Sequence, residues 1–221
     1  MPADDNRDIA FRREGRDFVL EARQWLPATP ERVWAFVSSL HHMNHVIPSS
    51  IRFEVTTPDP APLAEGVTYD YRLVLRGIPV RWRTLITAVD EPRYFADRQA
   101  KGPYASFLHE HWFDPEARGG IDGTMTRDVI RYRPPGGPLA RLANLVVRRE
   151  LRLLFERRHA RLAELFANGS NTLGLLPASR SGLPPASPSD VLQAGIKQAD
   201  TEQADTEQAG GKPLREAGSR S

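Results

Sequence analysis

The chain has 221 residues, is 40% hydrophobic and carries a formal net charge of +2. It is therefore long enough for one sizeable core, and its balanced charge does not by itself favour nucleic acid as a partner. It contains no cysteine, which excludes disulfides, thiolate metal sites and a cysteine nucleophile. No run approaches the roughly 18 apolar residues of a membrane-spanning helix, and the charged first residues do not resemble a signal peptide. We expect a cytoplasmic protein without a transmembrane segment.

The predicted elements begin after a polar stretch at 1–15, which is expected to be a flexible N-terminus. Alternating apolar residues predict a first strand over 18–25. A threonine followed by a proline then provides a helix start, and apolar residues at helical spacing predict a helix over 30–40. A second short helix or a loop is expected at 41–45.

Six further strands are predicted in the middle of the chain, where short segments rich in Gly, Pro and Asp separate runs of strand-forming residues. Because the connections are short, successive strands are expected to pair antiparallel. The predicted strands cover residues 50–56, 67–76, 80–90, 93–99, 104–113 and 123–133.

The apolar period then becomes helical. One broad stripe predicts a helix of about 30 residues, about 40 Å long, which must pack along the sheet. The stripe comprises Leu139, Leu142, Val146, Leu153, Leu154, Leu162, Leu165 and Phe166. The segment 168–221 has no aromatic residue and contains a repeated polar pentad, so we expect a disordered tail there.

This order of elements resembles the helix-grip superfamily of START domains, birch-pollen-type allergens and polyketide cyclase/dehydrases, whose bacterial members are called SRPBCC proteins. The motifs that carry the resemblance are IPVRW at 78–82, YFADRQ at 94–99, KGPY at 101–104, HEHWF at 109–113, GT at 123–124 with DVIRY at 128–132, and LFERR at 154–158. The resemblance implies an α+β domain over 16–167. In such a domain a curved antiparallel sheet of about seven strands wraps around the long C-terminal helix, with two short helices after the first strand and a ligand cavity between sheet and helix.

The strand 104–113 carries the candidate site. Because successive side chains of a strand point to opposite faces, Phe107, His109, His111 and Phe113 share one face. We interpret this face as a cavity wall whose imidazoles hold a ligand or act as general acid and base. Two alternatives stay open: the histidines are hydrogen-bonded core residues, or the opposite face with Glu110 points inward.

Neighbouring strands add polar candidates. Asp97 and Gln99 share one face of their strand, and Asp128 lies on the last strand. Either they join the histidines in one network, or the two carboxylates pair with arginines outside the cavity. The expected ligand-binding residues are Tyr69, Tyr71, Trp82, Phe95, Asp97, Gln99, Phe107, His109, His111 and Phe113, and the catalytic candidates are His109, His111, Asp97 and Asp128.

The His-x-His spacing of His109 and His111 is also typical of metal sites. A third ligand is then needed, and Asp97, Glu110 or Asp128 would serve, but no spacing enforces any of them. We therefore expect neither a metal nor another cofactor.

Three functions are compatible with these features. The leading one is binding of a small hydrophobic or aromatic molecule, lipid- or polyketide-like. The alternative is a cofactor-independent polyketide cyclase or aromatase, so whether the protein is an enzyme stays open. The third is a protein-interaction module or one in transient contact with a membrane surface, through a basic sheet face. That face comprises Arg72, Arg76, Arg81, Arg83, Arg131 and Arg133. Nucleic acid is not expected to bind, and the oligomeric state is left open.

Overall fold

The computed structural model describes residues 7–40, 42, 46–47, 52–58, 60–75, 77–137 and 140–167. The expected tail at 168–221 lies outside the described residues, as do most of the expected short helix or loop at 41–45 and the arginine at 76.

The described chain forms one antiparallel sheet of eight strands with two helices. The strands are β1 Arg7–Glu14, β2 Asp17–Leu26, β3 Arg52–Val55, β4 Thr68–Leu75, β5 Ile78–Asp90, β6 Tyr94–Lys101, β7 Ser106–Pro115 and β8 Thr124–Arg133. The helices are α1 Pro30–Val37 and α2 Ala140–Ala167. The expected α+β helix-grip architecture is confirmed.

The strand order is β1-β2-β8-β7-β6-β5-β4-β3. Strands β3 to β8 follow one another as a meander, as their short connections predict. Strand β2 pairs antiparallel with β8, although the two strands are far apart in the sequence. The face of the sheet that packs against α1 and α2 is called the inner face below.

Strand β1 corrects the expectation of a flexible segment at 1–15. Residues Arg7–Glu14 pair along their whole length with β2, so the sheet has eight strands rather than about seven. Five of the eight residues of β1 are charged, which hides the strand from a search for apolar alternation. Its ordering comes from tertiary contacts: the ring of Phe11 lies under the guanidinium groups of Arg148 and Arg152, and Arg12 pairs with Glu21.

Helix α2 has the expected length, but its buried stripe matches the predicted one only at its C-terminal end, at Leu162 and Phe166. The buried residues are Ala140, Leu151, Phe155, His159, Leu162 and Phe166, whereas Leu142, Val146 and Leu153 are 65%, 45% and 38% exposed. The helix is apolar on more than one side, so apolar spacing alone cannot tell which side the sheet covers.

The inner face carries three apolar clusters. One joins α1 to the end of α2 through Trp34, Phe95, Phe113 and Phe166. A second holds the middle of α2 on β2 and β8 through Leu20, Ala22, Ile130, Tyr132, Leu151 and Phe155. The third lies on β4 and β5 and contains Tyr69, Tyr71 and Ile86. No helix among the described residues is long and apolar enough to cross a membrane.

Two substitutions in α2 test which side of the helix carries its packing energy. Phe155 is 1% exposed and Leu145 is 67% exposed. We expect Phe155→Ala to lower the free energy of unfolding by about 3–5 kcal/mol, because it opens a cavity beneath the helix. Leu145→Ala should change it by less than about 0.5 kcal/mol. Denaturant unfolding followed by circular dichroism measures both, and equal losses would contradict the assignment of the buried stripe.

Candidate functional site

Four ionisable side chains meet on the inner face of three adjacent strands. They are Asp97 on β6, His109 and His111 on β7, and Asp128 on β8. The antiparallel register places Asp97 opposite His109 and His111 opposite Asp128. All four side chains therefore lie on the same face of the sheet. The structure therefore brings together four members of the polar set that the sequence analysis named, without Gln99, and it places the opposite face of β7 away from the helices.

The carboxylate of Asp128 is the centre of this cluster. Its Oδ1 lies 3.0 Å from His109 Nε2, 2.8 Å from His111 Nδ1 and 3.3 Å from Arg158 Nη1. The contact with His109 has hydrogen-bond geometry. That with His111 Nδ1 is short, but the N–H direction does not meet the oxygen. One oxygen atom thus faces three nitrogen groups from two structural elements.

Asp97 contacts the far side of His111. Its Oδ2 lies 3.3 Å from His111 Nε2, so a carboxylate faces each nitrogen of this ring. The two imidazoles lie against each other, with ring centroids 3.7 Å apart. The four side chains form a connected series from Asp97 through His111 and Asp128 to His109.

Aromatic rings hold the imidazoles in place. Phe95 stacks on His111 with a centroid distance of 4.0 Å and an interplanar angle of 16°. Phe155 of α2 and Phe107 meet His109 at 6.2 and 6.4 Å. Because these rings fill the space around the imidazoles, the orientation of both histidines is fixed by packing as well as by hydrogen bonds.

The four side chains of the cluster are mostly buried, but not equally. The side chains of Asp128 and His111 are 6% and 8% exposed, whereas those of His109 and Asp97 are 13% and 15% exposed. Asp97 and His109 are therefore the more accessible members of the cluster, and Asp128 is the most buried.

Charges in the cluster determine its protonation. Burial alone would raise the pKa of Asp128, but the charge of Arg158 and the contacts with both histidines hold it well below its usual value. Burial alone would lower the pKa of His111, but its contacts with Asp128 and Asp97 raise it. Burial and the charge of His111 lower the pKa of His109, despite its bond to Asp128. His111 therefore holds a proton more readily than His109 does.

Beside the cluster lies a group of half-buried aromatic residues, Trp82, Tyr104 and Phe107, called the aromatic trio below. The ring of Trp82 meets Tyr104 at 5.7 Å and Phe107 at 4.9 Å, and Tyr104 lies 5.3 Å from Phe107. Burial raises the pKa of Tyr104 to about 12. Through Phe107 the aromatic trio adjoins His109.

The other residues that were expected to line the cavity make contacts within the protein itself. Both ends of the Gln99 amide are bonded to the backbone of Tyr104. Phe95 and Phe113 belong to the cluster around Trp34. Tyr69 donates its hydroxyl to Ala61 O at 2.9 Å. Tyr71 packs with Phe53 in the cluster on β4 and β5.

Sequence reasoning missed two members of the site, Tyr104 and Arg158. Both lie in motifs that carried the resemblance, but neither was assigned a role. Arg158 follows the buried Phe155 by one helical turn, which is the spacing that places two side chains on one face. That spacing was the available signal, and the predicted apolar stripe obscured it because it did not include Phe155.

The opposite face of the sheet is covered by its own polar contacts. Glu110 is buried there and pairs with Arg131, and the guanidinium of Arg127 lies over Trp112. Further carboxylates neutralise the expected basic face through the pairs Arg72–Glu54, Arg83–Asp70 and Arg133–Asp17.

Two open pockets are lined by described residues, with volumes of about 220 and 420 Å³. The first lies against the N-terminal half of α2 and is lined by Phe11, Arg12, Arg13, Phe18, Tyr132, Asn144 and Arg148. The second lies at the start of α1. Neither contains the histidines, so a ligand cavity at the cluster stays a prediction.

Comparison with known proteins matches these features to one family. The family model described as "Polyketide cyclase / dehydrase and lipid transport" matches residues 18–167. No curated protein matches the chain in sequence.

Solved structures share the fold. A protein from Thermus thermophilus is 21% identical, with 69% of this chain and 99% of that chain covered and a TM-score of 0.54. A Mycobacterium smegmatis protein is 18% identical, with 74% and 98% covered and a TM-score of 0.52. A Rhodobacter sphaeroides protein is 16% identical, with 74% and 100% covered and a TM-score of 0.53. At such identities the likeness shows the fold alone.

The protonation of the cluster is testable by imidazole NMR. We expect His111 to keep its proton above the ordinary pKa of 6.5 and His109 to stay neutral below it. Since the pKa of His111 is raised in the folded state, its protonation contributes stability at acid pH, and that contribution is lost as the pH rises through the raised pKa. Asp97→Asn should lower the pKa of His111. Asp114→Asn, at an exposed position of β7, should leave it unchanged, and equal titration of both rings near 6.5 would contradict the assignment.

Proposed function

Because the chain belongs to the polyketide cyclase/dehydrase and lipid transport family, we propose that it binds a small hydrophobic or aromatic molecule, lipid- or polyketide-like, on the inner face of the sheet beside α2. The observation that supports this most directly is the contact between the aromatic trio and the ionisable cluster, at Phe107 and His109. Sites for small molecules typically combine apolar walls with a few oriented polar groups.

The aromatic trio supplies the apolar wall. The rings of Trp82, Tyr104 and Phe107 meet edge-on or tilted, and each is only partly buried. A ring or acyl chain placed against them removes their remaining apolar surface from water, which contributes roughly 25 cal/mol per Å². The trio is therefore the proposed seat of the hydrophobic part of the ligand.

The cluster supplies the polar groups. His109 uses Nε2 on Asp128, which leaves Nδ1 for a ligand oxygen, and the carboxylate of Asp97 is the most exposed group of the set. A hydroxyl or carbonyl at one end of an apolar molecule would bond to these two residues. The cluster thereby favours an oxygen-bearing ligand over a pure hydrocarbon.

Binding can be tested with the fluorophore anilinonaphthalene sulfonate on the full chain. We expect saturable binding, and Phe107→Ala should weaken it roughly tenfold, or about 1.4 kcal/mol, because it removes a wall of the site. Ile78→Ala removes an apolar side chain that is 66% exposed and should leave the affinity unchanged. Native mass spectrometry of the purified protein should also find a co-purified hydrophobic molecule. Equal affinities of the two variants would contradict the proposed site.

A second candidate function, a cofactor-independent polyketide cyclase or aromatase, rests on the contact of His109 with a carboxylate. In this reaction His109 Nδ1 would accept a proton from an activated carbon of the bound precursor. Asp128, bonded to Nε2, would stabilise the resulting imidazolium. The geometry equally suits a histidine that only orients a ligand, which is why binding is the leading proposal.

Cyclisation is tested with a poly-β-keto thioester as substrate. If His109 transfers the proton, His109→Ala should lower turnover roughly 100-fold or more, with an unchanged circular dichroism spectrum and partial rescue by added imidazole. His42→Ala, in the α1 region where His42 stacks on Phe36, should keep full turnover. Full turnover by the His109 variant would eliminate the catalytic role and leave the binding proposal intact.

The third function expected from the sequence, surface binding through arginines, is weakened by the carboxylates that pair with Arg72, Arg83 and Arg133. The cytoplasmic location stays a prediction.

A further inference from the structure

We propose that Asp97, His109 and His111 form a binding site for a divalent transition-metal ion such as Zn²⁺. Each of the three side chains offers one donor atom, and these atoms lie within 4.8 Å of one another. Two imidazole nitrogens and one carboxylate oxygen, with no thiolate, are a donor set that suits Zn²⁺, Co²⁺ or Fe²⁺ better than Mg²⁺ or Ca²⁺.

The distances in the cluster fit such an ion. Metal–ligand bonds of about 2.0–2.2 Å imply donor atoms about 3.3–3.6 Å apart in a tetrahedral site. His111 Nε2 and Asp97 Oδ2 are 3.3 Å apart, so one edge of the tetrahedron already has this length. All three donor atoms lie within 4.8 Å of one another, so the remaining edges must be brought to this length when an ion binds.

The position of Asp128 strengthens the inference. Its Oδ1 faces His109 Nε2 at 3.0 Å and His111 Nδ1 at 2.8 Å. The ring nitrogens that remain are His109 Nδ1 and His111 Nε2, and the second of these faces Asp97. A carboxylate that lies against the far nitrogens of two histidines, and is hydrogen-bonded to that of His109, resembles the arrangement that orients imidazoles in metal sites.

Charge also favours a cation. Asp97 and Asp128 contribute two negative charges, and Arg158, 3.3 Å from Asp128, contributes one positive charge behind the proposed ligands. The cluster has a net negative charge only when both histidines are neutral, so a metal ion would displace the proton of His111 and supply the compensating positive charge in its place.

The site would keep an open coordination position. Asp97 and His109 retain 15% and 13% exposure, and His109 adjoins the aromatic trio through Phe107. Three protein ligands with an accessible fourth position are typical of metal sites that bind water or a ligand oxygen. Metal binding itself does not require that an apolar ligand binds.

The third ligand could not be identified from the sequence, because the pairing register of β6 and β7 determines which carboxylate lies beside the histidines. Asp97 and His109 belong to separate sequence motifs, yet they are directly opposite each other on β6 and β7. Only strand pairing places a carboxylate from one motif against two histidines of another.

Cobalt spectroscopy on the full chain tests the proposal. After treatment with a chelator, the protein should bind one equivalent of Co²⁺ with visible absorption bands of four- or five-coordinate geometry, and Zn²⁺ should displace it. His111→Gln and Asp97→Asn should weaken binding at least roughly 100-fold, and Asp128→Asn roughly 10- to 100-fold because the imidazoles lose their orientation. His42→Gln, which changes a histidine outside the cluster, should bind like the parent protein.

Two results would overturn the metal site: the parent protein shows no visible Co²⁺ bands, or His42→Gln loses as much affinity as His111→Gln. If a cluster variant fails to fold, the parent protein is titrated with Zn²⁺ and followed by imidazole NMR instead. The ring resonances of His109 and His111 must then shift, while that of His42 does not. Binding of anilinonaphthalene sulfonate, measured with and without Zn²⁺, reports on the apolar site separately. The experiments therefore distinguish failure of the metal-site proposal from failure of the ligand-binding proposal.

Discussion

The inner face of the sheet depends on one oxygen atom, Oδ1 of Asp128, which faces His109, His111 and Arg158 at 2.8–3.3 Å. A carboxylate buried to this extent is costly unless it is paired and hydrogen-bonded. Removing one partner of such a pair typically costs about 3–5 kcal/mol, because the remaining charge stays buried. The positions of β7, β8 and α2 are therefore coupled through this group, since each element contributes a member of the cluster.

The same constraint explains the division of the inner face. Apolar clusters occupy its two ends and the β4–β5 side, and the polar cluster lies among them. Phe95 and Phe155 contact both the apolar clusters and the imidazoles. They restrict the histidines to one orientation, which any use of these rings requires, whether to hold a ligand oxygen, move a proton or bind a metal ion. Each of these functions thus depends on the fixed orientation of the two imidazoles as well as on their chemistry.

Much of this arrangement was predictable, and the exceptions share a cause. Strand parity correctly predicted that His109 and His111 share a face, and short connections correctly predicted the meander. Strand β1 was missed because its ordering comes from arginines of α2 above Phe11 and not from its own apolar pattern. The buried stripe of α2 was predicted only in part because the helix is apolar on several sides, and only contact with the sheet selects Phe155 over Leu142.

By itself the sequence determined the family, the order of the elements from β2 to α2 and which residues of one strand share a face, because these follow from local periodicity and from motifs along the chain. The tertiary structure alone decided which residues meet across strands: that Asp97 lies opposite His109, that Arg158 reaches Asp128, and that Gln99 is bonded to the backbone of Tyr104 rather than turned toward a ligand. The physical reason is register. The offset between two strands is determined by hydrogen bonding and packing along their whole length, and no single stretch of sequence contains that information.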